Sequence, residues 1–105
     1  MKKALIICAA GMSSSVMAKK TTSWLKENGH DIEIDATTAA AGDKAFQTDE
    51  YGLILISPQI RMRYNEFEVK AQKAGKNIVQ VGFDAYAPIP TGIEKMGKLV
   101  LENIN

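Results

Sequence analysis

The chain has 105 residues, enough for one domain and too few for two ordinary ones. Hydrophobic residues make up 46% of it and charged residues 24%, so a core can form unaided, and a net charge of +1 excludes a global pull toward nucleic acid or acidic membranes. A single cysteine excludes an internal disulfide and a cysteine-rich metal site.

Lys2 and Lys3 precede the apolar stretch from Ala4 to Ala10, a start shared with export signals. Polar Ser13 to Ser15 interrupt that stretch before it is long enough to export or to span, so a cytoplasmic protein is expected, where a lone thiol stays reduced. Ala4 to Cys8 predicts a central strand of a parallel sheet, buried on both faces. Ala9, Ala10 and Gly11 predict a tight turn, with Ser13 or Ser14 capping a helix that runs to about Asn28 and stops at Gly29. Val16, Met17, Trp24 and Leu25 supply its apolar side.

Asp31 to Ala36 alternates and predicts a half-exposed edge strand; Ala39 to Phe46 predicts a short helix that Gly42 weakens. Leu53 to Ile56 predicts a second fully buried strand, ended by Ser57 and Pro58. A helix from Arg61 to Ala74, ended by Gly75, leads to a third buried strand at Ile78 to Val81. Ile93, Met96, Leu99, Val100 and Ile104 fall near helical spacing and predict a closing helix over 93–104. Strand and helix alternate four times, which predicts one domain over 1–105, an α/β three-layer αβα sandwich. Its four-stranded parallel sheet takes the order 2-1-3-4 by right-handed crossovers.

Ligand sites in such sheets lie at the carboxyl ends of the strands, where Cys8, Ser57 to Gln59 and Phe83 to Tyr86 all fall. The segment from Cys8 to Ser15 concentrates chemistry there. A thiol precedes a glycine turn and a helix N-terminus, whose unpaired N–H groups and dipole attract anions and favour thiolate over thiol. The amides of Ala10, Gly11, Met12, Ser13, Ser14 and Ser15, with the three serine hydroxyls, form a phosphate-sized cradle around the nucleophile Cys8. The residues also allow a small buried hydrophobe followed by a serine helix cap. The functional reading requires a sulfur that an oxyanion can reach.

Rival motifs are absent. The chain has neither G-x-x-x-x-G-K-[ST] nor G-x-G-x-x-G after the first strand. A cysteine phosphatase needs an arginine six positions beyond its nucleophile, and that position holds Ser14. His30, the one histidine, is expected as a helix C-cap or solvent residue rather than a metal ligand. No metal and no cofactor is expected.

Cys8-Ala-Ala-Gly-Met-Ser-Ser-Ser15 and Ser57-Pro-Gln-Ile60 resemble the IIB subunits of the bacterial phosphotransferase system, lactose/cellobiose (lactose/chitobiose) family. The first segment is close to that family's C-x-A-G-M-S-[ST]-S loop, and the second to its G-P-Q-[IV], with Ser57 in place of glycine. Ala87 follows Tyr86 where family members carry a Tyr-Gly pair. The resemblance covers essentially the whole chain and implies a fold like that of low-molecular-weight tyrosine phosphatases, used to carry phosphate rather than hydrolyse it. It implies that Cys8 takes a phosphoryl group from a phosphohistidine of a IIA protein. It implies delivery to a β-linked disaccharide or oligosaccharide held by a membrane IIC transporter, with which the cytoplasmic carrier associates peripherally.

Around the nucleophile, Gln59, Asp84 and Tyr86 are second-tier candidates. The Gln59 amide can reach the loop or merely turn the chain. Asp84 can act as a general acid or cap a turn. Met12 and Tyr86 can collar the thiol or complete the core, and Arg61 and Arg63 can meet an acidic partner or face solvent. No association stripe is visible, so a monomer is expected in isolation. Two other functions remain open: a cysteine phosphatase-like enzyme, and a non-catalytic anion-binding module.

Overall fold

The computed structural model describes residues 2–9 and 11–104, with the backbone alone at 11–13. Two apolar runs organise it. Ala4 to Ile7 within β1 (Lys2–Cys8) and the whole of β3 (Leu53–Ile56) are buried. Strands sealed from water on both faces satisfy their backbone groups only through neighbouring strands. The two pair in parallel, from Ala4 opposite Leu53 to Ile7 opposite Ile56. β2 (Ile32–Thr38) flanks β1, with Cys8 opposite Thr38, and β4 (Asn77–Gln80) flanks β3. The order β2-β1-β3-β4 is the one predicted from right-handed crossovers.

Alternation along the strands divides the core in two. Ala4, Ile6, Leu53 and Leu55 pack with Met17, Ala18 and Leu25 of α1 (Gly11–Glu27) and with Met96 and Val100 of α3 (Pro90–Asn103). Leu5, Ile7, Ile54 and Ile56 pack on the opposite face with Phe67 of α2 (Tyr64–Ala74), Ile60 and Ala45. The result is a three-layer αβα sandwich. Along α1, Ser14, Met17, Ala18, Thr21 and Leu25 form a buried stripe at helical spacing, while Lys19, Lys20 and Lys26 face solvent. Gly29 and Gly75 follow α1 and α2 with φ of 85° and 71°, a left-handed conformation that ends helices and favours glycine.

Several boundaries differ from those predicted. β2 extends to Thr38 because Thr37 and Thr38 find partners in Ile7 and Cys8. The short helix expected from Ala39 to Phe46 is a 3₁₀ segment, Gly42–Gln47, too short to sustain α geometry. Pro58 starts another 3₁₀ segment, Pro58–Arg63, in which Ile60 is non-helical (φ −119°, ψ 28°), so α2 begins only at Tyr64. β4 spans Asn77–Gln80 and is half-buried rather than buried, because no strand pairs with its outer side. A further 3₁₀ turn, Phe83–Ala85, was not anticipated, and α3 starts at Pro90, whose missing N–H is harmless in a first turn. No helix among the described residues is long and apolar enough to cross a membrane.

Candidate active site

The parallel strands deliver Cys8, Ser57 and the stretch from Val81 to Tyr86 to one rim of the sheet. Backbone bonds pin that rim: Ala39 N–H to Cys8 O at 2.8 Å, Ser57 N–H to Ile7 O at 3.0 Å, and Val81 N–H to Ile56 O at 2.9 Å. Gln80 adds a side-chain clamp, its Nε2 reaching the carbonyl oxygens of Ile56 (3.0 Å), Ser57 (3.3 Å) and Val81 (3.0 Å). The sequence signalled nothing of this role, because a glutamine at a strand end acquires it only from the register of β3 and β4.

The Cys8 side chain follows Ala4 and Ile6 by alternation, so it points toward α1. It has no exposed surface, and its thiol donates a hydrogen bond to Ser14 Oγ at 3.0 Å. The expectation of a sulfur open to an arriving oxyanion is not met in this state. The reason is packing: an uncharged thiol behaves as a small apolar group and is comfortable beneath a helix.

Ser14 also departs from its expected place. The helix begins at Gly11, so Ser13 and Ser14 lie inside its first turns rather than before it. Ser14 opens the buried stripe of α1, and its hydroxyl turns to the sulfur instead of capping. The spacing 14, 17, 18, 21, 25 was the available signal for that orientation. Ser15 is exposed. Ala10 lies outside the described residues, as do the side chains of Met12 and Ser13 and the surroundings of Gly11, so the cradle expected there is not described. What the described part supplies is the opening of a 17-residue helix with no acidic side chain in its first turn, three positions after Cys8. The first-turn N–H groups of any helix lack intrahelical partners and carry the positive end of its dipole.

The remaining candidates are dispersed. Gln59 is exposed on the 3₁₀ segment after β3. Tyr86 is buried in the core cluster on the α1 and α3 side. Asp84 sits on an exposed turn and pairs with Lys95 at 3.2 Å, and that ammonium holds its carboxyl below the ordinary range. A carboxylate kept ionised has no proton to donate, which suits a general acid poorly. His30 follows Gly29 at the amino end of the sheet, its N–H bonded to Leu25 O at 2.9 Å, away from Cys8. Among the described residues no three of His, Cys, Asp and Glu converge on a point. A cleft of about 510 Å³ lined by Lys20, Trp24, Pro90 and Ile93 lies between α1 and α3, and none of its lining residues is a strong nucleophile.

Exposed apolar residues surround the rim: Val16 on α1, Met62 after β3, and Phe83 and Ile89 after β4. The Arg61 guanidinium lies 5.8 Å from the centre of the Phe83 ring, within cation–π range.

Residues 3–95 match the family described as "PTS system, Lactose/Cellobiose specific IIB subunit". The chain is 34% identical over 73 residues to the galactose-specific EIIB component of the PTS system of Lactococcus lactis subsp. cremoris, covering 67% of this chain and 68% of that protein. It is 33% identical over 73 residues to the cellobiose-specific EIIB component of Lactococcus lactis subsp. lactis, with the same coverage of 67% and 68%. Among solved structures, the lactose-specific IIB component domain from Streptococcus pneumoniae superposes with a TM-score of 0.83 at 24% identity, over 99% of this chain and 98% of that one. The cellobiose-specific phosphotransferase IIB component of Borrelia burgdorferi gives 0.72 at 22% identity, over 96% and 89%. At these identities the two superpositions speak to the fold.

Proposed function

The chain belongs to the lactose/cellobiose-specific IIB subunits of the PTS system, phosphocarriers of phosphotransferase type, and from that premise we propose that Cys8 is the residue that carries the phosphoryl group. The observation that carries the proposal is the contact between Cys8 Sγ and Ser14 Oγ at the start of α1. A serine hydroxyl that accepts from the thiol can rotate and donate to the thiolate, so Ser14 serves both protonation states. Ser14 also occupies the position where a cysteine phosphatase keeps its arginine. A neutral hydroxyl there withholds the bidentate clamp that would favour attack by water.

In the first step the Cys8 thiolate attacks phosphorus in line with a phosphohistidine of a IIA protein. The P–S bond forms as the P–N bond breaks, the electron pair stays on the imidazole, and the imidazole takes up the proton given up by the thiol. Amides of the first turn of α1 meet the charge on the equatorial oxygens. In the second step a sugar hydroxyl bound by the IIC transporter attacks, the P–S bond breaks, and the sulfur leaves as thiolate and recovers the hydroxyl proton. Because the sulfur has no exposed surface in the unloaded state, both steps require it to become accessible when a partner docks.

The exposed Val16, Met62, Phe83 and Ile89, with Arg61 beside them, offer a rim to both partners in turn. A β-linked disaccharide or oligosaccharide is the expected acceptor. The two Lactococcus relatives bear different sugar names at nearly equal identity, which favours a sugar choice made by the transporter. We take residues 1–105 as one domain, monomeric alone, cytoplasmic and peripherally associated with the membrane partner.

Intact-mass analysis with a phosphorylated IIA donor tests the proposal. The protein gains one phosphoryl group, and Cys8→Ser abolishes a base-stable, thiol-borne adduct. Turnover of donor without a retained adduct points to the phosphatase-like reading instead, and a wild-type chain that stays unmodified overturns the assignment.

A further inference from the structure

Ser57 has no exposed surface, and its Oγ has no hydrogen-bond partner among the described residues. A hydroxyl shut away from water without a partner destabilises the fold, so native chains rarely keep one idle. The position of this one is specific. Ile7 pairs with Ile56, and the bond from Ser57 N–H to Ile7 O at 3.0 Å carries the ladder one residue further. Ser57 therefore stands beside Cys8 on the adjacent strand, at a strand spacing of ~4.8 Å. Both side chains leave the sheet on the face opposite Ile7 and Ile56, toward α1. Gln80 holds the Ser57 carbonyl, and Pro58 follows immediately, so the hydroxyl is carried on a fixed backbone.

In the unloaded protein the sulfur is engaged with Ser14, and the Ser57 hydroxyl finds no partner among the described residues. A phosphoryl group on Cys8 supplies three acceptor oxygens and nearly two negative charges beside it. Resting on the reading of Cys8 as the carrier, we propose that Ser57 Oγ donates a hydrogen bond to the phosphoryl group on Cys8, a contact made only in the loaded state. Ser57 is then a phosphate-binding residue contributed by the neighbouring strand, outside the loop that follows Cys8. A donor reserved for the loaded state draws the phosphoryl group from IIA onto the carrier, because its binding energy appears on one side of the transfer equilibrium.

Equilibrating wild type, S57A and S57T with a phosphorylated IIA donor, at a fixed ratio of loaded to unloaded donor, tests this by intact mass. The transfer constant falls about tenfold in S57A, the loss of one hydrogen bond to a charged group, and S57T restores most of it. Thermal unfolding supplies a readout that a packing role leaves unmoved. Unloaded S57A melts at or above wild type, because an unpartnered buried hydroxyl is gone, and loaded S57A melts below loaded wild type. Equal loading of S57A and wild type, or a melting order that stays the same after loading, overturns the inference while leaving Cys8 as carrier. A wild-type protein that does not load overturns the reading of Cys8 and this inference with it. If S57A does not fold, the near-isosteric pair S57T and S57V makes the same comparison, with the same outcome expected from the hydroxyl.

Discussion

The two faces of the sheet are built from the same strands, yet their carboxyl ends hold different chemistry. On the α2 side the last residues of β1 and β3 are Ile7 and Ile56, packed with Ile60 and Phe67 and apolar throughout. One residue further along the same strands, on the α1 side, stand Cys8 and Ser57, with Ser14 above the sulfur. A single alternation of side chains therefore separates a purely structural face from the one that carries the proposed reactive residue. The reactive face is the one where a long helix begins, and there the positive end of its dipole favours negative charge. The other face supplies only the packing that keeps the strand ends in register.

That division can be broken by substitution on either side. The largest loss of stability is expected on the structural face. Phe67→Ala removes a fully buried ring and costs about 3–5 kcal/mol, read by urea unfolding. Below its melting range the folded variant should still load Cys8 to the wild-type extent. A folded F67A that fails to load would show that the faces are not separable.

Gly97→Ala is the counterpart on the reactive face. A Cβ at Gly97 would lie 2.3 Å from Trp24 Cε3 and 2.5 Å from Cζ3, in the crossing of α3 with α1. Overpacking there costs about 1–3 kcal/mol, reduced by the better helix propensity of alanine. Pushing α1 outward also displaces Ser14 from the sulfur, so the initial rate of loading should fall severalfold, in contrast to F67A. Unchanged loading in a destabilised G97A would mean that the position of α1 does not matter to transfer.

The smallest effect belongs to Lys95→Gln, far from both cores. Lys95 holds the Asp84 carboxyl below its ordinary range, so its removal should raise the Asp84 titration midpoint toward that range by NMR. A depressed carboxyl contributes stability above its unfolded-state value and loses it as pH falls through its folded-state value. The pair is solvent-exposed, so the melting temperature at neutral pH should hardly change. A marked drop would reveal a network beyond Asp84 and Lys95.

The sequence made the central strands legible because burial on both faces writes an unbroken apolar run, as in Leu53 to Ile56. Crossover handedness then left little freedom in the strand order. Features set by partners distant in sequence were hidden. Thr37 and Thr38 read as loop residues until β1 offers them a ladder, and Ile78 and Val79 read as fully buried although their strand lies at the edge. Pro58 signals a turn, but the break at Ile60 depends on how the chain leaves β3. At the site, the type and position of Cys8 could be read from its residues. Its burial was legible only as one of two alternatives, because the choice depends on α1 packing against the strand end. Ser57 was visible as a strand-end residue and as a departure from a pattern; its idle hydroxyl required the register of β1 against β3.

The cover over Cys8 has a chemical consequence outside phosphoryl transfer. A sulfur that solvent does not touch is equally closed to peroxide, and to the sulfur of a second copy of the chain. While unloaded and undocked, the protein therefore keeps its sole oxidisable thiol from becoming a sulfenic acid or a crosslink. On the proposed function, the packing that makes the carrier wait for a partner also preserves it between turnovers.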